Sequence, residues 1–226
     1  TRWATHGEPN TKNAHPHSDS EDNFSLIHNG IIENHYAIKE FLMNEGVTFN
    51  SDTDTEVLVQ FISYLYKKNN LNFFDTVRLA LKEVVGAYGI VVMCKDEPDK
   101  LIAAKNGSPL VVGIGEGEHF IGSDISAVME YSRNILYLDD DEIVEITKDE
   151  YSIKHIDHDN EIIKEIKEIE YTLDQIEKGN YKHFMLKEIY EQPNAIREAI
   201  RGRINNENVV KLGGVYDWIQ KLLNKD

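Results

Sequence analysis

Residues 86–94, Gly-Ala-Tyr-Gly-Ile-Val-Val-Met-Cys, begin the part of the chain that decides its fold class. From here the sequence consists of short apolar or alternating runs separated by turn residues, a pattern typical of β-strands. The predicted strands lie at 88–94, 101–104, 110–114, 119–122, 135–138, 143–146 and 151–156. One small helix is expected near 126–131. Consecutive short strands at this spacing indicate antiparallel sheet.

The preceding half of the chain is predicted to contain one strand followed by helices. Residues 1–22 are polar and without period, which is typical of a long loop. A strand over 24–28 is expected to stop at a turn formed by Asn29 and Gly30. Thr53 and Glu56 form the pattern of a capping box, which predicts the start of a helix. The remaining predicted helices cover 34–45 and 73–85.

This order of elements predicts an α+β fold in which helices pack on the faces of largely antiparallel sheets. From about residue 159 the chain becomes rich in Ile, Glu and Lys, and 181–203 has a helical pattern. Pro193 inside that pattern predicts a break or a new helix start. A domain boundary is therefore expected between Glu161 and Lys182.

Composition excludes several classes of partner. The 226 residues carry 24 Lys and Arg against 40 Asp and Glu, for a net charge of −16. Such a charge repels phosphate backbones and anionic lipid surfaces, so we expect neither nucleic acid nor membrane as a partner. The chain has one cysteine, Cys94, which excludes an internal disulfide and agrees with a reducing, cytoplasmic location.

Asn29 and Gly30 are the first candidates for chemistry. An Asn side-chain amide beside a Gly backbone N–H supplies two donors that can converge on one oxygen, as an oxyanion hole requires. The alternative is an ordinary Asn-Gly turn. That turn usually joins two strands, whereas a helix is predicted to follow here.

Arg2 and Asp54 together could bind a zwitterionic amino acid, the guanidinium gripping a carboxylate and Asp54 taking an ammonium group. Each also has a structural explanation. Asp54 lies in the first turn of a predicted helix, where negative charge is favoured by the helix dipole, and Arg2 could simply be solvated. Trp3 and His6 could likewise be a packing aromatic and a surface loop histidine.

No metal and no cofactor are predicted. Two histidine pairs, His15 with His17 and His155 with His158, lack a further ligand at a recognisable spacing. The glycine-rich segment 113–117 lies between two predicted strands, so a hairpin is favoured over a phosphate loop. Cys94 ends an apolar strand and is expected to be a buried structural thiol.

Read in order, these residues closely resemble the glutamine-dependent fructose-6-phosphate aminotransferase family, also called glucosamine-6-phosphate synthases. The motifs that carry the resemblance are TRWATHG at 1–7, NAHPH at 13–17, HNGIIEN at 28–34, TDTE at 53–56, GAYG at 86–89, GSPL at 107–110, SD at 123–124 and KEIYEQP at 187–193. They span nearly the whole chain. Other class II amidotransferase domains share the Asn-Gly pair and the carboxylate-binding Arg but not the RWATHG run.

The resemblance implies an N-terminal-nucleophile fold, a four-layer αββα sandwich with antiparallel sheets. It also implies site roles. Asn29 and Gly30 would be the oxyanion donors, and Asp54 would bind the α-ammonium of glutamine. The glutamine carboxylate would be contacted by Arg2, Thr5 and His6, and Trp3 would gate a mobile loop. The implied substrates are glutamine and, in the second domain, fructose 6-phosphate.

One part of the family pattern does not match. The family's nucleophile is an N-terminal cysteine, and the resemblance aligns Thr1 with an internal position, while Cys94 lies in a later strand. We therefore expect 1–158 to be a glutaminase domain without its opening segment, 159–180 a linker, and 181–226 the first helices of a sugar-phosphate isomerase domain. The family implies a homodimer formed through that second domain.

The expected activity is glutamine hydrolysis coupled to amination of fructose 6-phosphate, and 1–226 alone is expected to be inactive. Three alternatives remain open at this point: a catalytically dead glutamine-binding or scaffold module, the amidotransferase domain of another class II enzyme, and a stable globular fragment without activity.

Overall fold

The computed structural model describes residues 7–169 and 181–200. The chain divides into two compact units, Thr1–Glu170 and Tyr171–Asp226. Four of the predicted site residues, Arg2, Trp3, Thr5 and His6, lie outside the described residues. Within the described ranges, none of the helices has the length and hydropathy that a membrane span requires.

The first unit contains three helices, ten strands and two 3-10 turns in its described part. The helices are α1 (His35–Asn44), α2 (Asp54–Asn69) and α3 (Phe73–Lys82). The strands are β1 (His17–Ser18), β2 (Phe24–Ile32), β3 (Gly86–Cys94), β4 (Leu101–Asn106), β5 (Val111–Ile114), β6 (His119–Gly122), β7 (Asn134–Tyr137), β8 (Glu142–Ile146), β9 (Tyr151–His155) and β10 (Lys167–Glu168). The 3-10 turns are Thr11–Asn13 and Ile125–Ala127.

The strands form two antiparallel sheets. The larger has the order β1-β2-β3-β4-β8-β9, and the smaller has the order β10-β7-β5-β6. The longest pairing joins β2 and β3 over their full length, from Phe24 opposite Cys94 to Ile32 opposite Gly86. Because this pairing is continuous, the register of β2 and its neighbours is fixed.

Alternation along the strands separates two apolar cores. On one face of the larger sheet, Leu26, Ile90 and Ile102 pack against the helices. On the other face, residues such as Ala103 and Val144 pack against the smaller sheet. Successive strand residues point to opposite faces, so one sheet supplies both cores. The result is a helical layer over two stacked sheets, which confirms the predicted α+β antiparallel sandwich.

The smaller sheet covers the β4–β8–β9 end of the larger one. At the β2–β3 end of the same face, apolar side chains remain accessible, and Ile27 is 46% and Met93 53% exposed. Asn29 lies on this face. The candidate site is therefore at an open part of the sheet surface, where a ligand can reach it.

The start of α2 is capped by the side chain of Thr53. Thr53 Oγ1 accepts a hydrogen bond from Glu56 N at 3.1 Å, as the capping box predicts. The Glu56 carboxylate does not return to Thr53. It accepts instead from the backbone N–H groups of Asn50 at 2.7 Å and Ser51 at 2.5 Å. Glu56 thus takes part in both the helix start, through its N–H, and the loop that precedes it, through its carboxylate.

The seven strands predicted after residue 86 are all present, with ends shifted by two residues or fewer. The hairpin at 113–117 is also confirmed, since Gly115 N donates to Glu118 O at 3.0 Å between β5 and β6. The helix expected near 126–131 is only a 3-10 turn. The two-residue strands β1 and β10 were not predicted.

The prediction of a turn at Asn29 and Gly30 was wrong. Both residues lie inside β2, which continues to Ile32. Residues after Gly30 are apolar and pair with β3, so the strand extends through the Asn-Gly pair. Glycine at this position allows β2 and β3 to approach closely, and the chain does not reverse direction here.

The second unit has one described helix, α4 (Phe184–Ile200). Pro193 lies inside it, so the predicted break at this residue was wrong. A proline removes one backbone hydrogen bond from a helix, and here the turns on both sides still form. Residues 201–203 of the predicted helix lie outside the described residues.

Candidate functional site

Gly30 occupies a backbone position that only glycine fits. Its φ is +131°, and a Cβ built on it would lie 2.0 Å from the carbonyl oxygen of Ala87 on β3. Side chains rarely adopt this φ, and no heavy atom can stand so close to a carbonyl. The sequence therefore needs glycine here for steric as well as conformational reasons.

The ladder between β2 and β3 determines where the Gly30 N–H points. Hydrogen bonds flank the ladder at Glu33 N to Val85 O and at Lys95 N to Asn23 O, each 2.8 Å. Antiparallel pairs alternate between bonded and non-bonded, so odd-numbered residues of β2 bond to β3. Gly30 and Tyr88, which lie opposite each other, therefore form a non-hydrogen-bonded pair. Its N–H consequently points away from β3.

The same edge of β2 contacts Asp54. Ile32 is two residues further along, so its N–H points the same way as that of Gly30, and it donates to Asp54 Oδ2 at 2.9 Å. The rise of a strand is about 3.4 Å per residue, which places the two N–H groups about 7 Å apart. The Gly30 donor and the Asp54 carboxylate are thus neighbours along one strand edge.

Asp54 is buried at the start of a helix. It is the first residue of α2 and only 2% exposed. The positive end of the 16-residue helix stabilises a carboxylate at this place, typically by about 0.3–1 kcal/mol and more where the site is buried. A buried carboxylate at the edge of β2 is suited to bind a cationic group.

Histidines surround the start of α2. His28 is 5% exposed, and its Nδ1 lies 3.2 Å from Thr55 Oγ1 and 3.9 Å from Asp54 Oδ2. His15 Nε2 lies 3.3 Å from the same Thr55 oxygen. A hydroxyl has one proton, so at most one of the two imidazoles can accept from Thr55. The tautomers of His15 and His28 are therefore linked.

His17 is tied to the same region, because its Nε2 lies 3.2 Å from Thr53 Oγ1. From the sequence, His15 and His17 were weighed as a metal-ligand pair and as part of the NAHPH motif, and neither interpretation predicted their contacts with α2. Within 7–169 and 181–200, no group of three or more His, Cys, Asp or Glu side chains is arranged to hold a metal ion.

Alternation along β2 could have indicated that His28 faces the helices, but its contact with Asp54 depends on tertiary packing.

Cys94 lies in the helix-side core and is 2% exposed. Burial raises the pKa of its thiol, which keeps the sulfur protonated near neutral pH. Cys94 pairs with Phe24 at the far end of the ladder from Gly30. The expectation of a buried thiol is confirmed, and a nucleophilic role for Cys94 is excluded by its burial and position.

The structure brings Asn29, Gly30 and Asp54 to one region of β2. It places the Asn29 side chain on the open face by alternation, the Gly30 N–H on the strand edge, and Asp54 beside that edge. The Asn29 side chain and the Gly30 N–H are hydrogen-bond donors that suit a polarised carbonyl oxygen. The Asp54 carboxylate, about 7 Å further along the strand edge, suits an ammonium group.

Comparison with known proteins gives one matching family model, described as a glutamine amidotransferase domain, over residues 4–130. Two curated relatives are named glutamine--fructose-6-phosphate aminotransferase [isomerizing]. The protein of Chlorobaculum tepidum is 48% identical over 224 residues, covering 98% of this chain and 36% of the relative. That of Bacteroides thetaiotaomicron is 51% identical over 226 residues, covering 99% and 37%. The chain spans a little over a third of these relatives.

Among solved structures, a glutamine phosphoribosylpyrophosphate amidotransferase from B. subtilis matches with a TM-score of 0.57 and 24% identity, covering 71% of this chain and 34% of that one. An allosteric regulatory enzyme of purine biosynthesis matches with a TM-score of 0.53 and 21% identity, covering 64% and 31%. At these identities the likeness supports the fold alone, and it agrees with the antiparallel sandwich described above.

Proposed function

The chain belongs to the glutamine amidotransferase domain family, and on this premise we propose that it is the glutaminase portion of an enzyme that transfers ammonia from glutamine to fructose 6-phosphate. The products would be glutamate and glucosamine 6-phosphate. The names of the relatives support the sugar substrate, and the resemblance over 187–193 extends beyond the residues matched by the family model.

One observation supports the proposal: the edge of β2 that carries the Gly30 N–H also donates, two residues further along at Ile32, to the buried Asp54 carboxylate at the start of α2. Glutamine has an ammonium group at one end and a side-chain amide at the other. With the ammonium at Asp54, an extended glutamine can present its amide oxygen to the Gly30 N–H and the Asn29 side chain. The α-carboxylate of glutamine would be contacted by Arg2, Thr5 and His6. Trp3 would close over the bound glutamine.

The reaction proceeds through a covalent intermediate in this proposal. A thiolate, supplied by a cysteine outside the 226 residues as the resemblance implies, attacks the amide carbon of glutamine. Asn29 and Gly30 stabilise the resulting oxyanion. Collapse breaks the carbon–nitrogen bond and, with one proton added to the leaving nitrogen, releases ammonia. Water then hydrolyses the thioester to glutamate and regenerates the thiol.

The wider organisation follows from the same resemblance. We propose that 1–158 forms the glutaminase domain, 159–180 a linker, and 181–226 the start of a sugar-phosphate isomerase domain. The second domain would bind fructose 6-phosphate and join two copies into a homodimer in the cytoplasm.

The test is product formation by the whole protein that contains this chain. We expect glucosamine 6-phosphate to form from fructose 6-phosphate with glutamine as nitrogen donor. Chemical identification of the product by mass spectrometry separates the alternatives. Glutamine hydrolysis without aminated sugar phosphate indicates another class II amidotransferase, and glutamine binding without hydrolysis indicates a catalytically dead module. For 1–226 alone we expect no glutamate release.

A further inference from the structure

The loop 107–109, which follows β4, lies behind the proposed oxyanion donors. Gly107 forms a parallel β-bridge with Tyr88, the residue opposite Gly30. Ser108 Oγ lies 3.0 Å from the position that a Cβ on Gly30 would take. The Gly30 N–H points away from β3, whereas the loop lies on the β3 side. The loop therefore supports Gly30 from behind and does not meet an oxygen that accepts from its N–H.

The same loop borders the space of the Asn29 side chain. Gly89 lies opposite Asn29, and a Cβ on Gly89 would lie 3.3 Å from Pro109 O and 3.5 Å from Ser108 Cβ. Side chains of directly opposite strand residues have Cβ atoms about 4.5–5.5 Å apart. The loop thus takes the place of a cross-strand neighbour of Asn29, so its position bounds one side of the space that the Asn29 side chain can occupy.

A carboxylate on a distant turn holds this loop. Asp140 Oδ1 accepts from Gly107 N at 2.8 Å and from Lys105 Nζ at 2.5 Å, contacts that span 33 and 35 residues. One oxygen thus joins the end of β4 to the loop. Lys105 is only 15% exposed, so its ammonium group is partly shielded from water. Since Ser108 directly follows Gly107, a single residue separates the Asp140 contact from Gly30.

The two ends of the proposed glutamine site depend on this loop to different degrees. Oxyanion donors act at about 2.7–3.1 Å from the developing charge, and a displacement of about 1 Å can cost 10²-fold in rate. Asp54 lies at the start of α2 and contacts the edge of β2 that faces away from β3, at Ile32 N. A shift of the loop should therefore disturb the oxyanion donors and leave the ammonium contact in place.

We propose that Asp140 is a positioning residue for glutamine hydrolysis, which holds the loop 107–109 against β2 and β3 and so keeps Asn29 and Gly30 aimed at the oxyanion. This inference rests on the proposed function. Asp140 acts through the loop and not on the substrate. Because the oxyanion forms only after glutamine has bound, loss of Asp140 lowers kcat and kcat/KM together and leaves KM unchanged.

The experiment measures glutamate release by the whole protein that contains this chain. For Asp140→Ala we expect kcat to fall about tenfold, with KM for glutamine within about twofold of the parent. Asp140→Asn keeps an oxygen that can accept from Gly107 N, so its kcat should lie only about threefold below the parent. The matched control is Asp139→Ala. Asp139 pairs instead with Lys164, at 2.7 Å and again with a lysine that is 15% exposed, and its loss should change neither constant.

The outcomes separate this inference from the function on which it rests. With an active parent, an unchanged kcat in Asp140→Ala, an equal loss in Asp139→Ala, or a change confined to KM overturns the role of Asp140 and leaves the proposed function standing. A parent that releases no glutamate overturns both. Asp140 is 57% exposed, so Asp140→Ala should keep its melting temperature within about 4 °C. If it falls further, Lys105→Met decides: it breaks the same ion pair and should lower kcat about threefold at unchanged KM, and no loss there overturns the role.

Discussion

Replacement of Gly30 by alanine tests the geometry of the candidate site most sharply. The structure assigns two penalties to the new Cβ. The first is conformational, because φ is +131°, and strained backbone of this kind costs about 1–3 kcal/mol. The second is steric, because the Cβ would lie 2.0 Å from Ala87 O and 2.8 Å from Ala87 C.

The steric penalty can be estimated from the ladder. A tolerable contact to backbone begins near 3.0 Å, so β3 must move by about 1 Å relative to β2. That shift weakens the bonded pairs on either side, Asn29–Gly89 and Ile31–Ala87. Each backbone hydrogen bond contributes about 0.5–1.5 kcal/mol net. With the conformational penalty, Gly30→Ala should destabilise the chain by about 4 kcal/mol.

The matched control is Gly46→Ala. Gly46 also has a positive φ, +88°, but no atom lies within 4 Å of its Cβ position. It therefore carries only the conformational penalty, about 1–2 kcal/mol. Urea unfolding followed by circular dichroism gives both values. Equal losses for the two variants would show that β2 and β3 do not approach as closely at Gly30 as the structure describes.

Three further predictions follow from the site and its surroundings. Asp54→Asn removes the proposed partner of the glutamine ammonium, so KM for glutamine should rise at least tenfold; an unchanged KM contradicts that role. Cys94→Ala should leave glutamine hydrolysis within about twofold of the parent while lowering stability by about 1–2 kcal/mol, and loss of activity with intact folding would contradict the assignment of Cys94 as a buried structural thiol. The Lys105 ammonium and the Gly107 N–H lower the pKa of Asp140, so its stabilisation is present above pH 4 and lost as the pH falls through the lowered pKa. Asp140→Asn should thus destabilise the chain by less than about 1 kcal/mol at pH 7 and progressively less as the pH falls through that lowered pKa, and a difference that does not shrink on acidification speaks against this linkage.

Local patterns in the sequence predict most of the sheet. Strands such as β3 and β8 are apolar or alternating over their own length, so burial and period can be read directly. The two-residue strands β1 and β10 are too short to show a period. They form because neighbouring strands offer an edge, which no local window contains.

The site was predicted as a set of residues but not as a geometry. The Asn-Gly pair predicted a turn because that pair is common in turns, whereas the nine-residue pairing of β2 with β3 outweighs the local preference. The contact of Asp54 with Ile32 spans 22 residues, and that of Asp140 with Gly107 spans 33. Contacts of this range depend on how the sheet and helices pack, and no local window of the sequence contains them.

The proposed function depends most on Asn29 and Gly30, which would stabilise an oxyanion formed from glutamine. The most direct measurement is the rate of glutamate release by the whole protein containing this chain, compared with its Asn29→Ala variant. We expect glutamate release by the parent and a kcat about 10²–10³-fold lower in the variant, the usual effect of removing one oxyanion donor. A folded Asn29→Ala variant that hydrolyses glutamine at the parent rate would show that Asn29 does not stabilise the oxyanion.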